Sequence, residues 1–275
     1  MPMVRAYQGG LTVGTGGNHT TERAKRGEVQ GWTAASARRH NCWCYSVEPQ
    51  RLTGYGWAVT LTLRDCPVTS DEWTLLLQNF FQGLRDTGLL VRAHWVVEWQ
   101  TRGAPHLHMA VYLTEDLGER AASRLIEGNW LARTQRWGAL ELGQDCQRIR
   151  DTLDWQKYLA KHAARGVAHY QRQGKPSGWE RTGRLWGHIG DWPTVEPIEA
   201  RVDAGTFYRL RRLSRSWRVA DARARARRGK TSWRALTAAR GMLRCPERKI
   251  SRMRGVSDWI PEDVALRLLE VASTR

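Results

Sequence analysis

The chain has 275 residues, 41% hydrophobic and 26% charged, enough for one sizeable core with a smaller appendage. No apolar run approaches the ~20 residues of a membrane span, and the first ten residues lack the apolar stretch of a secretory leader, so the expectation is a cytoplasmic protein without a membrane partner. The formal net charge is +17 and it is segregated: residues 201–275 hold 20 Lys+Arg against 7 Asp+Glu, which leaves 24 against 20 for the first 200. Such a basic segment points to a polyanion. Six of the basic residues are Lys and 38 are Arg, the residue suited to bidentate phosphate contact. Codon bias toward Arg would explain the abundance but not the segregation.

Residues 1–50 are polar and Gly-rich, and they read as a flexible arm with a short strand near Cys42–Val47. The five cysteines are odd in number and scattered, so they form no disulfide framework. His40-Asn-Cys42-Trp-Cys44 has metal-binding residue types but no second pair at zinc-finger spacing. Trp57-Ala-Val-Thr-Leu-Thr-Leu63 predicts a strand: it is β-branched and aromatic, with Pro67 beyond it. Thr69-Ser-Asp-Glu72 has the spacing of a capped helix start. Trp73, Leu76, Leu77, Phe80, Phe81 and Leu84 then follow at helical period, and Gly88 ends the run.

Two strands are expected next, 91–99 and 106–113, joined by Thr101-Arg-Gly-Ala104 with Gly103 as the turn residue. A strand puts His106 and His108 on one face, and a hairpin brings Glu98 back beside them. Two imidazoles and a carboxylate with open positions suit a catalytic divalent ion better than a closed structural zinc site. His-x-His on a strand is also common as a merely hydrogen-bonded pair, so the pattern needs a further element.

Downstream, 115–137 predicts a helix, a short strand is expected around 139–142 or 147–149, and 151–165 predicts another helix. In that last helix Tyr158 and Lys161 stand three apart on one face. A Tyr hydroxyl, with a pKa of about 10, is a poor nucleophile unless the group it attacks is activated. Residues 176–193 read as loop with a short strand at 185–189. Residues 196–275 read as basic helices, with Arg211, Arg212, Arg225, Arg227 and Arg228 in the densest clusters. No internal repeat is found. The fold class expected is α+β, a central antiparallel sheet with helices packed on it and a basic, mainly helical C-terminal region. The expected division is 1–50, 51–195 and 196–275.

Taken in order, Ala58-Val-Thr-Leu-Thr-Leu63, Pro105-His106-Leu-His108 with Glu98, and Tyr158-Leu-Ala-Lys161 resemble the motifs of the HUH endonuclease superfamily, over roughly residues 55–190. The tyrosine downstream of the histidines matches the rolling-circle replication initiator branch of small phages and plasmids. The resemblance implies an RRM-like palm. It also implies Glu98, His106 and His108 as ligands of Mg²⁺ or Mn²⁺, Tyr158 as nucleophile, and Lys161 as electrostatic assistant. The expected product is a 5′-phosphotyrosine and a free 3′-hydroxyl primer. His162 stands where some phage initiators carry a second tyrosine, so a single-tyrosine enzyme is expected.

No Gly-x-x-x-x-Gly-Lys-Ser/Thr stretch occurs. The partners implied are therefore single-stranded or hairpin origin DNA together with a host helicase, polymerase and single-strand-binding protein. Arg102, Lys157, Arg165, Arg172 and Lys175 are candidates for phosphate contact near the site, and the C-terminal arginines for duplex. A single-tyrosine transposase of the same superfamily and a non-catalytic DNA-binding regulator are the alternatives.

Overall fold

A computed structural model describes residues 1–15, 29–164, 175–229, 233–243 and 255–274. The chain divides into two compact units. One takes the described residues within 1–23, 42–48 and 194–275, and the other those within 24–41 and 49–193.

The larger unit is built on a five-stranded antiparallel sheet. Its strands are β3 (Tyr55–Thr62), β4 (Leu90–Trp99), β5 (Pro105–Leu113), β6 (Asp145–Arg148) and β7 (Trp186–Gly190), in the order β6-β3-β5-β4-β7. Side chains alternate across it. Trp57, Val59, Leu61, Trp95, Val97, Leu107, Met109 and Val111 are buried on one face. Helices α2 (Ser70–Asp86) and α3 (Gly118–Thr134) cover that face.

Phe81 meets Trp95 at 4.7 Å between ring centroids, and Trp130 stands edge-on to both Phe80 and Trp73. The Trp130 indole N–H donates to the Thr62 carbonyl, so this large ring is buried with its one donor satisfied. A buried Trp removes ~150–250 Å² from water, worth roughly 4–6 kcal/mol at ~25 cal/mol per Å². The α2 start is capped as its spacing predicts: Thr69 Oγ1 accepts from Glu72 N–H, and Glu72 reaches back to Val68 N–H.

The opposite face of the sheet is polar. Arg92, His94 and Glu98 of β4 pair in register with Tyr112, Ala110 and His106 of β5. Helix α4 (Thr152–Ala164), capped by Asp151 on Asp154 N–H, lies on this side. So does the first part of α1 (Ala34–Ser46), whose start is capped by Thr33 on Ser36 N–H.

The smaller unit corrects the expectation of an N-terminal arm. Residues 1–15 do not read out as an arm: β1 (Pro2–Ala6) and β2 (Leu11–Thr15) form a hairpin closed by Tyr7 N–H on Gly10 O. Val4, Ala6, Leu11 and Val13 alternate inward from it. The C-terminal segment is mainly helical, as expected. It adds β8 (Ile198–Arg201) and β9 (Val256–Asp258), which flank the hairpin in the order β8-β1-β2-β9.

Helices α5 (Ala204–Arg227) and α7 (Glu262–Ser273) supply Phe207, Leu210, Ala265 and Ala272 to one core with the sheet, and α6 (Trp233–Gly241) packs Leu236 and Ala239 on Ala222 of α5. Of the strand expected near 42–47, residues 42–46 are the end of helix α1, because the run from Ala34 to Ala37 is rich in the best helix former, and Val47 makes an isolated antiparallel bridge to Thr194. Of the two places expected for a short strand after α3, 139–142 holds none, and the one at 147–149 is met in part by β6, which runs Asp145–Arg148.

Candidate active site

The β4–β5 hairpin delivers the three expected ligands to one face. Its turn is closed by Gln100 N–H on Ala104 O and Gly103 N–H on Gln100 O. Gly103 adopts φ +85°, a conformation that favours glycine. The Cα atoms of Glu98 and His106 are register partners, and the rings of His106 and His108 lie 4.3 Å apart, edge to face. Glu98 Oε2 is 3.7 Å from His108 Nε2, and the Glu98 residue is fully buried. Thr60, the register partner of His108 on β3, sets its Oγ1 3.2 Å from His108 Nδ1. The Gln100 amide sits 3.2 Å from His106 Nδ1.

Both Nδ1 atoms therefore face protein groups, and His108 turns Nε2 toward the carboxylate. The two imidazoles and Glu98 share the face without all lying within 4.8 Å of one another. A carboxylate held out of water is stabilised by a neighbouring cation. The donor set of two nitrogens and one oxygen fits a divalent ion of the Mg²⁺, Mn²⁺ or Zn²⁺ kind.

Helix α4 brings Tyr158 to the same place. Its ring stands edge-on to the His108 imidazole, 5.7 Å between centroids and 88° between planes. Trp155, one turn earlier, stacks on the tyrosine at 4.7 Å and 23°. Tyr158 is 36% exposed. Lys161 follows one turn later on α4, and its side chain lies outside the described residues.

The other expected contacts divide. Arg102, at the hairpin tip, donates to the Leu63 carbonyl and is otherwise exposed. Lys157 pairs with Asp154 at 3.6 Å, and Lys175 bonds the Glu180 carbonyl. Arg165 and Arg172 lie outside the described residues. Of the C-terminal set, Arg212, Arg227 and Arg228 are exposed and Arg225 partly so. Arg211 differs: it is 7% exposed, with its guanidinium over the Phe207 and Tyr208 rings, and it packs the core of the smaller unit rather than facing a partner.

Sequence reasoning missed a second imidazole pair on the polar face of the sheet. His40 of α1 and His94 of β4 are buried with their Nε2 atoms 2.8 Å apart. Burial, with His40 and His188 nearby, holds the His94 pKa well below the usual histidine range. His94, Val96 and Glu98 alternate along one strand, which was the available signal. Trp155 was also missed, although its spacing of three from Tyr158 puts the two on one helix face.

Among the described residues, no helix is long and apolar enough to cross a membrane. The family described as replication-associated protein ORF2/G2P matches residues 56–167, the span holding the hairpin and α4. The chain is 39% identical over 275 residues to the replication-associated protein G2P of Pseudomonas phage Pf3, covering 98% of this chain and 96% of that protein. Two Xylella fastidiosa proteins that carry replication-protein names are each 40% identical. The one from strain 9a5c aligns over 97% of this chain and 94% of its own length. The one from strain Temecula1 / ATCC 700964 aligns over 94% and 99%. No solved structure matches the chain. With a relative this similar along nearly its whole length, the chain belongs to the replication-associated protein ORF2/G2P family.

Proposed function

We propose that the protein starts rolling-circle replication by nicking one strand of its origin through attack of Tyr158 on the scissile phosphate. The observation that carries this reading is the meeting of Tyr158 with His108 beside a buried Glu98. The phenolic oxygen bonds to phosphorus and loses its proton. The bond from phosphorus to the 3′ oxygen breaks, leaving a 3′-hydroxyl for a polymerase and a 5′-phosphotyrosine on the protein. Attack of a 3′-hydroxyl on that phosphotyrosine reverses the step and rejoins the strand.

Glu98, His106 and His108 would hold Mg²⁺ or Mn²⁺. Such an ion, when bound, supplies Lewis acidity at the scissile phosphate, so that a weak nucleophile suffices. Lys161 assists by stabilising the phenolate or the developing oxyanion. Trp155 keeps the Tyr158 ring in place.

The partner is origin DNA, single-stranded or extruded as a hairpin, in the cytoplasm of a bacterial host. Arg102, Lys157, Arg165, Arg172 and Lys175 contact phosphates near the site. Arg212, Arg225, Arg227 and Arg228 add salt-dependent affinity for duplex. A host helicase, polymerase and single-strand-binding protein complete the cycle.

The test is incubation of the full chain with labelled single-stranded DNA from its replicon's origin and Mn²⁺, followed by denaturing electrophoresis. A protein–DNA adduct is expected from wild type and none from Tyr158→Phe. An adduct that survives Tyr158→Phe removes the nucleophile. No adduct from wild type on any origin DNA sinks the nicking reading and leaves a DNA-binding regulator. Cleavage of transposon-end hairpins alone would make the protein a transposase.

A further inference from the structure

The two histidines have a feature in common that the ligand assignment does not use: each has its Nδ1 against a fixed polar side chain. A neutral imidazole carries one N–H and one lone pair. To offer the lone pair at Nε2 it must keep its proton at Nδ1, and that proton needs an acceptor. Thr60 Oγ1, held 3.2 Å from His108 Nδ1 by strand register, can accept from that N–H.

For His106 the group is Gln100. Its backbone is pinned at the neck of the hairpin, its N–H on Ala104 O and its carbonyl under Gly103 N–H. Its side chain reaches His106 Nδ1 at 3.2 Å. Its Oε1 is buried with no hydrogen-bond partner among the described residues.

An amide can turn either end to the ring. With the NH₂ group facing Nδ1, the ring accepts there and its own proton sits on Nε2, which blocks that nitrogen as a ligand. With Oε1 facing Nδ1, after a half-turn of the amide, the ring donates, the buried oxygen gains a partner, and Nε2 presents its lone pair. We propose that Gln100 is a positioning residue that holds His106 in the Nδ1–H form, so that both histidines offer Nε2 on the Glu98 side.

The proposal rests on the reading of Glu98, His106 and His108 as ligands, and the test separates the two. Mn²⁺ alone is titrated into the full chain without DNA, with free Mn²⁺ followed by electron paramagnetic resonance. The histidine tautomers of the metal-free protein are read by long-range ¹H–¹⁵N correlation. Gln100→Leu should weaken Mn²⁺ binding by about 10–100-fold and move the His106 proton to Nε2. Gln100→Glu, which keeps an acceptor, should restore both.

If Gln100→Leu binds Mn²⁺ as wild type does while His106→Ala loses it, the positioning role is wrong and the ligand reading stands. If His106→Ala binds as wild type does, both are wrong. Weakening by Gln100→Leu that Gln100→Glu does not repair means that the side chain only fills space, and overturns the proposal.

Discussion

The Tyr158 ring meets the His108 imidazole edge to face, 5.7 Å between centroids, with Trp155 stacked against the tyrosine at 4.7 Å. These contacts hold the ring while its residue stays 36% exposed. A nucleophile positioned in this way owes its rate to orientation as well as to activation of the phosphate. Tyr158→Phe removes one oxygen and keeps both ring contacts. Origin binding should stay within about twofold of wild type, while nicking falls by about 10³-fold or more. Filter binding and gel assays of the adduct on the same preparations check this. Trp155→Ala should instead lower the nicking rate by about tenfold with little change in DNA affinity.

The geometry of the candidate site was more legible than the contacts around it. Glu98, His106 and His108 share a face because strand period and hairpin register require it, and both can be read from the sequence. Gln100 and Thr60 meet the histidines through pairings between residues 6 and 48 apart, and no local pattern marks a side chain that will face Nδ1. The smaller unit was obscured for another reason. Its hairpin (residues 2–15) finds its flanking strands near residues 200 and 257, too far along the chain for periodicity to register. The alternation of Val4, Ala6, Leu11 and Val13 around Gln8-Gly-Gly was the available clue, masked by the polar, Gly-rich composition of the whole segment.

Removing exposed arginines from α5 and its C-cap should change how salt acts on DNA binding. Each phosphate contact contributes roughly 0.9 to the slope of log affinity against log salt on duplex DNA. Arg212→Ala, Arg227→Ala and Arg228→Ala combined should lower that slope by about 2–3, with thermal stability unchanged, as measured by fluorescence anisotropy across a salt series. Arg211→Ala should do the reverse. Its guanidinium lies 5.4 Å from the Phe207 ring centroid within the unit, so its loss should lower the melting midpoint and leave the slope alone.

If residues 1–15 were a mobile arm, Gly10 would tolerate any side chain. In the structure a Cβ at Gly10 would fall 2.3 Å from the Tyr45 ring, a large side chain that is itself only 2% exposed. Gly10→Val should therefore destabilise the protein by about 1–3 kcal/mol through overpacking. Gly14→Ala, where a Cβ meets nothing within 4 Å, should cost far less. Urea midpoints of the two variants decide the matter, and equal midpoints would contradict the hairpin.

The buried His40–His94 pair sets an acid limit on stability. Their Nε2 atoms are 2.8 Å apart, so one ring donates to the other. The His94 pKa lies well below its model-peptide value of 6.5 in the folded protein, because burial and the neighbouring His40 and His188 disfavour the charged ring. In the unfolded chain the group titrates near 6.5. Below that pH the unfolded state binds a proton that the native state refuses. The contribution is thus fully present above pH ~6.5 and is lost as pH falls toward the depressed folded value, at up to about 1.4 kcal/mol per pH unit. The urea midpoint should fall between pH 7.5 and pH 5.0. His94→Gln keeps a polar group beside His40 without a proton to gain, so it should be less stable at pH 7.5 but show a smaller fall. An equal fall in the variant would mean that other groups set the acid limit.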